Sequence, residues 1–161
     1  MRRRGVVLLS TLLLISFAGA QTFSSIMPVV MAPVGNVQMR PGSSKDVTLD
    51  FRVGPEFHIN SHTPKSPLLI PTALKLTVPP QITLAEVKYP TGQDESFAFS
   101  PDEKLNVYSG DFSIDAVLKA PANLSAGTYP VKGELRFQAC DHSACYPPRT
   151  IPVQFQIIVV K

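Results

Sequence analysis

The sequence contains no tryptophan and only two cysteines, and just 17% of its 161 residues are charged. No stretch carries a 3.6-residue apolar period over a helix-length window, and with 16 prolines this excludes a helical bundle. Charge of one sign is also lacking. Arg2, Arg3 and Arg4 sit in a removable leader; without them the 15 Lys and Arg fall to 12, equal to the 12 Asp and Glu. A mature chain of zero net charge has no electrostatic footprint for nucleic acid or an anionic membrane, so both partner classes are excluded. No Ser-His-Asp order, Gly-rich phosphate loop or paired-carboxylate motif is present, which leaves hydrolase and nucleotide-binding readings without support. What the chain does have is apolar content: 44% of residues are hydrophobic, enough for a core within one domain.

The leader has three parts. Arg2–Arg4 form a positive start, Val6–Phe17 an apolar run, and Ala18-Gly19-Ala20 a small-residue cleavage site. That order is a secretory signal peptide, and the run is shorter than the ~20 residues that span a bilayer. The expected organisation is a signal peptide over 1–20, a tether or irregular first strand over 21–36, and one domain over 37–161. Cleavage near Ala20 predicts a periplasmic or secreted protein, in a compartment where thiols can be oxidised.

From Val37 onward the period is two. Val47, Leu49, Phe51 and Val53 alternate with polar residues, as do Leu74 to Val78, Phe112 to Leu118, Val131 to Ala139 and Val153 to Val159. Ile82–Tyr89 is a further, less regular strand. Pro-Gly, Gly-Pro, Pro-Pro and Ser-Gly pairs separate the runs, which predicts seven to nine short strands. Such strands bury their apolar faces by packing two sheets together, giving an all-β, immunoglobulin-like sandwich.

Cys140 and Cys145 enclose Asp141-His142-Ser143-Ala144, with a strand leading in and Tyr146-Pro147-Pro148 leading out. At the mouth of a hairpin their Cα atoms would lie ~4.5–5.5 Å apart, within disulfide range. A staple is the first reading of such a pair in an exported domain. Its stabilisation is small: chain entropy gives a ring of about six residues ~2 kcal/mol, against ~4.7 for a loop of a hundred. A weakly stabilising disulfide at a tip suits a reversible redox site, because the fold survives its reduction. Protonated His142 would favour a neighbouring thiolate and Asp141 would oppose it. The spacing is not the C-x-x-C of thioredoxins. A third reading joins Cys140, His142 and Cys145 with His58 or His62 in a soft site for copper or zinc, although C-x-H-x2-C is not a standard metal spacing.

Phe137-Gln138-Ala139-Cys140 followed by Cys145-Tyr146-Pro147-Pro148 resembles the "YQxC…CYPP" signature of the amino-terminal periplasmic domain of the DsbD family of thiol:disulfide interchange proteins. The resemblance runs through Phe57–Asn60, Tyr89–Gly92, Val107–Gly110 and Ala126–Tyr129, covering roughly residues 37–160. It implies an immunoglobulin-like domain whose redox pair is Cys140 and Cys145, with no cofactor. It also implies thioredoxin-fold periplasmic partners, of the disulfide isomerase or cytochrome c maturation type. The chain ends at Lys161 with no membrane or thioredoxin domain, so an electron donor in trans, such as a membrane reductase, is expected. In the family a cap loop shields the cysteines with an aromatic residue. Here the cap would be Asp94–Ser100; where the family carries Phe-Tyr-Gly this chain has Ser96-Phe97-Ala98-Phe99-Ser100, leaving Phe97 or Phe99 as the shield. Asp94 and Glu95 would influence thiol acidity if the cap closes, and His58, Asn60, His142 and Tyr146 would line the cysteine pocket.

Overall fold

The computed structural model describes residues 27–161; the expected leader and cleavage site lie outside the described residues. Twelve strands run in chain order: β1 (Val29–Met31), β2 (Val37–Met39), β3 (Ser44–Val53), β4 (His58–Asn60), β5 (Ala73–Thr77), β6 (Thr83–Lys88), β7 (Gln93–Phe97), β8 (Ser100–Tyr108), β9 (Asp111–Lys119), β10 (Gly127–Phe137), β11 (Ala139–Cys140) and β12 (Arg149–Val159). They form three four-stranded sheets, ordered β1-β3-β9-β6, β2-β12-β10-β5 and β11-β4-β8-β7.

The first two sheets make the sandwich. In β3 the burial of Val47, Leu49, Phe51 and Val53 alternates with exposed neighbours, and β12 does the same from Ile151 to Val159. Opposed antiparallel partners keep these faces in register, Leu49 with Ile114 and Leu135 with Ile151. The inward faces join into one apolar core that includes Leu49, Ile114, Leu118, Leu135 and Ile157, all fully buried. Gly133 lets β5 approach β10: a Cβ there would stand 2.2 Å from the Lys75 carbonyl oxygen.

The first described segment is split between the two sheets. β1 pairs antiparallel with β3 of the first sheet, whereas β2 pairs parallel with β12 of the second. Residues 32–36 cross between them, and Val29 is fully buried, so the core draws on residues ahead of the alternating pattern.

Twelve strands replace the seven to nine expected because the third sheet is built from pieces too short or too exposed to show a period. β4 and β11 have three and two residues, and most of β7 and the first half of β8 face solvent. The cap expected as a loop over Asp94–Ser100 is instead a β-hairpin, with Phe97 opposite Ser100 and the turn at Ala98-Phe99.

Candidate redox site

The chain changes sheets at Gln138. β10 ends at Phe137 in the sandwich, and Ala139 and Cys140 pair with Ile59 and His58 of β4 in the third sheet. Gln138 clamps the crossing: its Oε1 accepts from Asn60 Nδ2 at 3.1 Å and from the Ile70 amide at 3.3 Å, and its Nε2 donates to the Tyr146 carbonyl at 3.2 Å. Asn60 itself is fully buried, and its amide also donates to Ile70 O at 3.0 Å. The entry and exit of the cysteine loop are thereby tied to one point of the sandwich edge.

Cys140 and Cys145 are joined by a disulfide and face each other as an isolated antiparallel bridge, with Cα atoms 3.9 Å apart. That is tighter than the open hairpin mouth expected from the sequence. The tip is held by Asp141, whose Oδ1 accepts from the amides of Ser143 and Ala144 at 2.7 and 2.9 Å and from the Ser143 hydroxyl at 2.8 Å. Its Oδ2 accepts from the Tyr146 hydroxyl. These donors, the Tyr146 hydroxyl first, hold the Asp141 carboxyl well below the usual carboxylate range and push the Tyr146 phenol up. The carboxylate's task is turn formation.

The two sulfur-bearing residues differ sharply in access. Cys140 is fully buried, whereas Cys145 is exposed. Beside them Tyr146 is 41% exposed, its ring edge-on to Phe57 with centroids 6.2 Å apart. The two rings line a cleft of about 190 Å³ with Pro28, Ala139, Pro147 and Arg149.

The cap hairpin lies on His58. The Phe97 ring stacks on the imidazole with centroids 3.8 Å apart, and Phe99 follows at 6.2 Å from His58 and 5.5 Å from Phe97. Both candidate shields thus belong to one aromatic stack, in which Phe97 makes the inner contact and Phe99 is 36% exposed. Burial first, and the charge of His142 second, lower the His58 pKa from 6.5 to about 4, against the opposing pull of Asp141.

The carboxylates of the cap have other partners. Asp94 bonds Lys65 at 2.6 Å and Asn106 at 2.8 Å, and these contacts, Asn106 first, lower its pKa. Glu95 accepts from Ser109 at 3.2 Å. Their hydrogen bonds hold the hairpin rather than the cysteine loop. The hairpin also enters through Gly92, where a Cβ would stand 2.1 Å from Asn106 Oδ1. His62 stacks on Tyr89 at 3.6 Å and its Nδ1 lies 2.9 Å from the Thr72 carbonyl. Among the described residues no group of three or more His, Cys, Asp and Glu is arranged to hold a metal ion. Sequence reasoning gave no role to Gln138 or Phe57; both lay inside quoted motifs, and only their neighbours in space reveal what they do.

Residues 27–156 match the family model described as thiol:disulfide interchange protein DsbD, N-terminal. Among solved structures, the chain is similar to the N-terminal periplasmic domain of ScsB from Proteus mirabilis, at 11% identity and a TM-score of 0.50, over 78% of this chain and 43% of that one. It is also similar to the reduced DsbD N-terminal domain of Neisseria meningitidis, at 18% identity and a TM-score of 0.44, over 73% of this chain and 80% of that one. The seventh ScaB type I cohesin of Pseudobacteroides cellulosolvens gives 14% identity and a TM-score of 0.49, over 79% and 89%. No curated protein sequence matches. An all-β, immunoglobulin-like fold, a cystine at its rim and a family match over most of its length together define the chain, which belongs to the DsbD N-terminal domain family.

Proposed function

We propose that this protein passes reducing equivalents between thioredoxin-fold partners outside the cytoplasm, through reversible opening of the Cys140–Cys145 disulfide. The observation that carries this reading is the asymmetry of the pair: one buried cysteine and one exposed cysteine on a sandwich whose core does not depend on them. An exposed sulfur admits an incoming thiolate; a buried one leaves and waits.

A reduced partner's thiolate attacks Cys145 Sγ, a partner–Cys145 bond forms, and the Cys140–Cys145 bond breaks with its electron pair on Cys140 Sγ. The partner's second thiol, as thiolate, then attacks the partner sulfur of the mixed disulfide. Cys145 departs as thiolate, two protons complete the dithiol, and the partner leaves as a disulfide. Donation to the next partner runs the same steps in reverse. The exposed Tyr146 ring and its apolar cleft give a docking partner something to bury beside Cys145. The stacked cap over β4 restricts approach from the other side.

Trapping tests the assignment. Cys140→Ser leaves the exposed thiol and is expected to accumulate mixed disulfides with a thioredoxin-fold protein; Cys145→Ser leaves only the buried one and is expected to trap far less. Equal trapping by both variants, or by neither, contradicts it.

A further inference from the structure

One buried side chain at the rim has no task in the exchange steps. His58 is 4% exposed, and its Nε2 has no hydrogen-bond partner. A buried ring nitrogen left unpaired costs free energy, and such groups are uncommon in folded proteins.

Strand register gives the ring its address. His58 is directly opposite Cys140 in the β4–β11 pair, and Cys145 is directly opposite Cys140 on the other side. Residues opposed across antiparallel strands project from the same face, with Cβ atoms ~4.5–5.5 Å apart. His58, Cys140 and Cys145 therefore form one row, in which Cys140 is the neighbour of His58 and Cys145 is one position further along. Phe97 closes the row from above His58.

We propose that His58 receives the buried sulfur when the disulfide opens, its Nε2–H donating a hydrogen bond to the Cys140 thiolate. This rests on the exchange reading above. When the partner's thiolate bonds to Cys145, the electron pair of the broken bond comes to rest on Cys140 Sγ, in surroundings that otherwise disfavour charge. The imidazole is neutral, so it gives a hydrogen bond and keeps its proton; the proton that completes the Cys140 thiol comes from solvent. The titratable groups that act on His58 are His142 and Asp141 on the cysteine loop, in opposite directions. The cap contributes Phe97 and Phe99, while its Asp94 and Glu95 are bonded elsewhere. His58 is the one side chain of β4 opposed to a cysteine, and its free nitrogen is the match for a sulfur that becomes an acceptor only on reduction.

The test uses the mature protein with His58→Phe, which keeps a ring under Phe97 and removes the donor, and His58→Gln, which restores a side-chain N–H. In a Cys145→Ser background, thiolate absorbance at 240 nm reports Cys140 alone. There, the pH of half-ionisation is expected to rise by one unit or more in His58→Phe and to return most of the way in His58→Gln. Reduction of the native disulfide by dithiothreitol at fixed pH is expected to slow tenfold or more in His58→Phe, with the same rescue. Should His58→Phe not fold, the His58 ring nitrogens of the otherwise native protein are followed by NMR, and the Nε2–H resonance is expected to move downfield on reduction. An unchanged Cys140 titration with reduction rates within twofold, or an unmoved Nε2–H resonance, overturns the proposal. If Cys140→Ser still traps partners in that case, only the role of His58 has failed; if trapping fails while Cys140 titrates as described, only the exchange reading has.

Discussion

The sandwich and the third sheet obey different rules. In β3, β10 and β12, strands of ten or eleven residues alternate buried and exposed side chains; β9 alternates until Ala116–Leu118, which are all buried, and the four pair along nearly their full length. The third sheet pairs β4 over two residues with β11 and over two with β8. It also holds the buried polar side chains His58 and Asn60, with Ser61 following directly, and, among the described residues, both buried polar side-chain atoms without a partner. Stability resides in the sandwich, where non-directional apolar burial dominates. The cystine lies where the chain leaves it, beside a small sheet fixed by directional contacts such as those of Gln138. The proposed exchange, which opens a covalent bond without unfolding the chain, needs that separation.

The two regions can be perturbed separately. The largest expected effect is functional: Cys140→Ser or Cys145→Ser removes net electron transfer to a thioredoxin-fold acceptor altogether, while far-UV circular dichroism stays unchanged. The absence of tryptophan helps, because partner tryptophan fluorescence then reports the partner alone. On the other side, Leu135→Ala opens a cavity near the C-terminal end of β10, where Leu135 is fully buried between Leu74 and Ile151. It should cost about 2–5 kcal/mol in urea unfolding and leave the exchange rate of the folded fraction within a few-fold.

Acid should act on the rim before it acts on the sandwich. His58 is held neutral down to about pH 4, below its ordinary 6.5, so the unfolded chain binds its proton first. Stability should therefore fall as pH drops from 6.5 to 4, by about 2–3 kcal/mol, and His58→Phe should flatten that window. Asp141 acts lower: its lowered carboxyl pKa gives a contribution that is lost only as pH falls below the ordinary carboxylate range. Unfolding midpoints at pH 7, 5.5 and 4 in both proteins check the sign. The smallest effect is expected of Gln138→Ala, about 1–2 kcal/mol from lost hydrogen bonds, with a larger change in partner trapping than in stability because the loop exit is released.

The sequence made the sandwich legible because a half-buried strand writes its period directly: Val47, Leu49, Phe51, Val53 and the run from Val153 to Val159 are visible as alternation. The cysteine pair was legible through a motif, and the segment Asp94–Ser100 was placed only by its order along the chain. The hairpin form of the cap was hidden, since Asp94, Ser96 and Ser100 to Lys104 carry no buried face to set a period. β4 and β11 are too short for any pattern, so the row of His58, Cys140 and Cys145 exists only once strands far apart in the chain are paired. The unequal exposure of the two cysteines was equally unreadable, because it depends on which of them is covered by β4.

The most direct test is a redox titration in thiol–disulfide buffers, with alkylation and circular dichroism read from the same samples. A midpoint above about −300 mV, native dichroism in the fully reduced protein, and a loss of only ~2 kcal/mol in unfolding free energy on reduction are expected. A midpoint below that potential, or dichroism that collapses in step with the appearance of thiols, would contradict the proposed exchange.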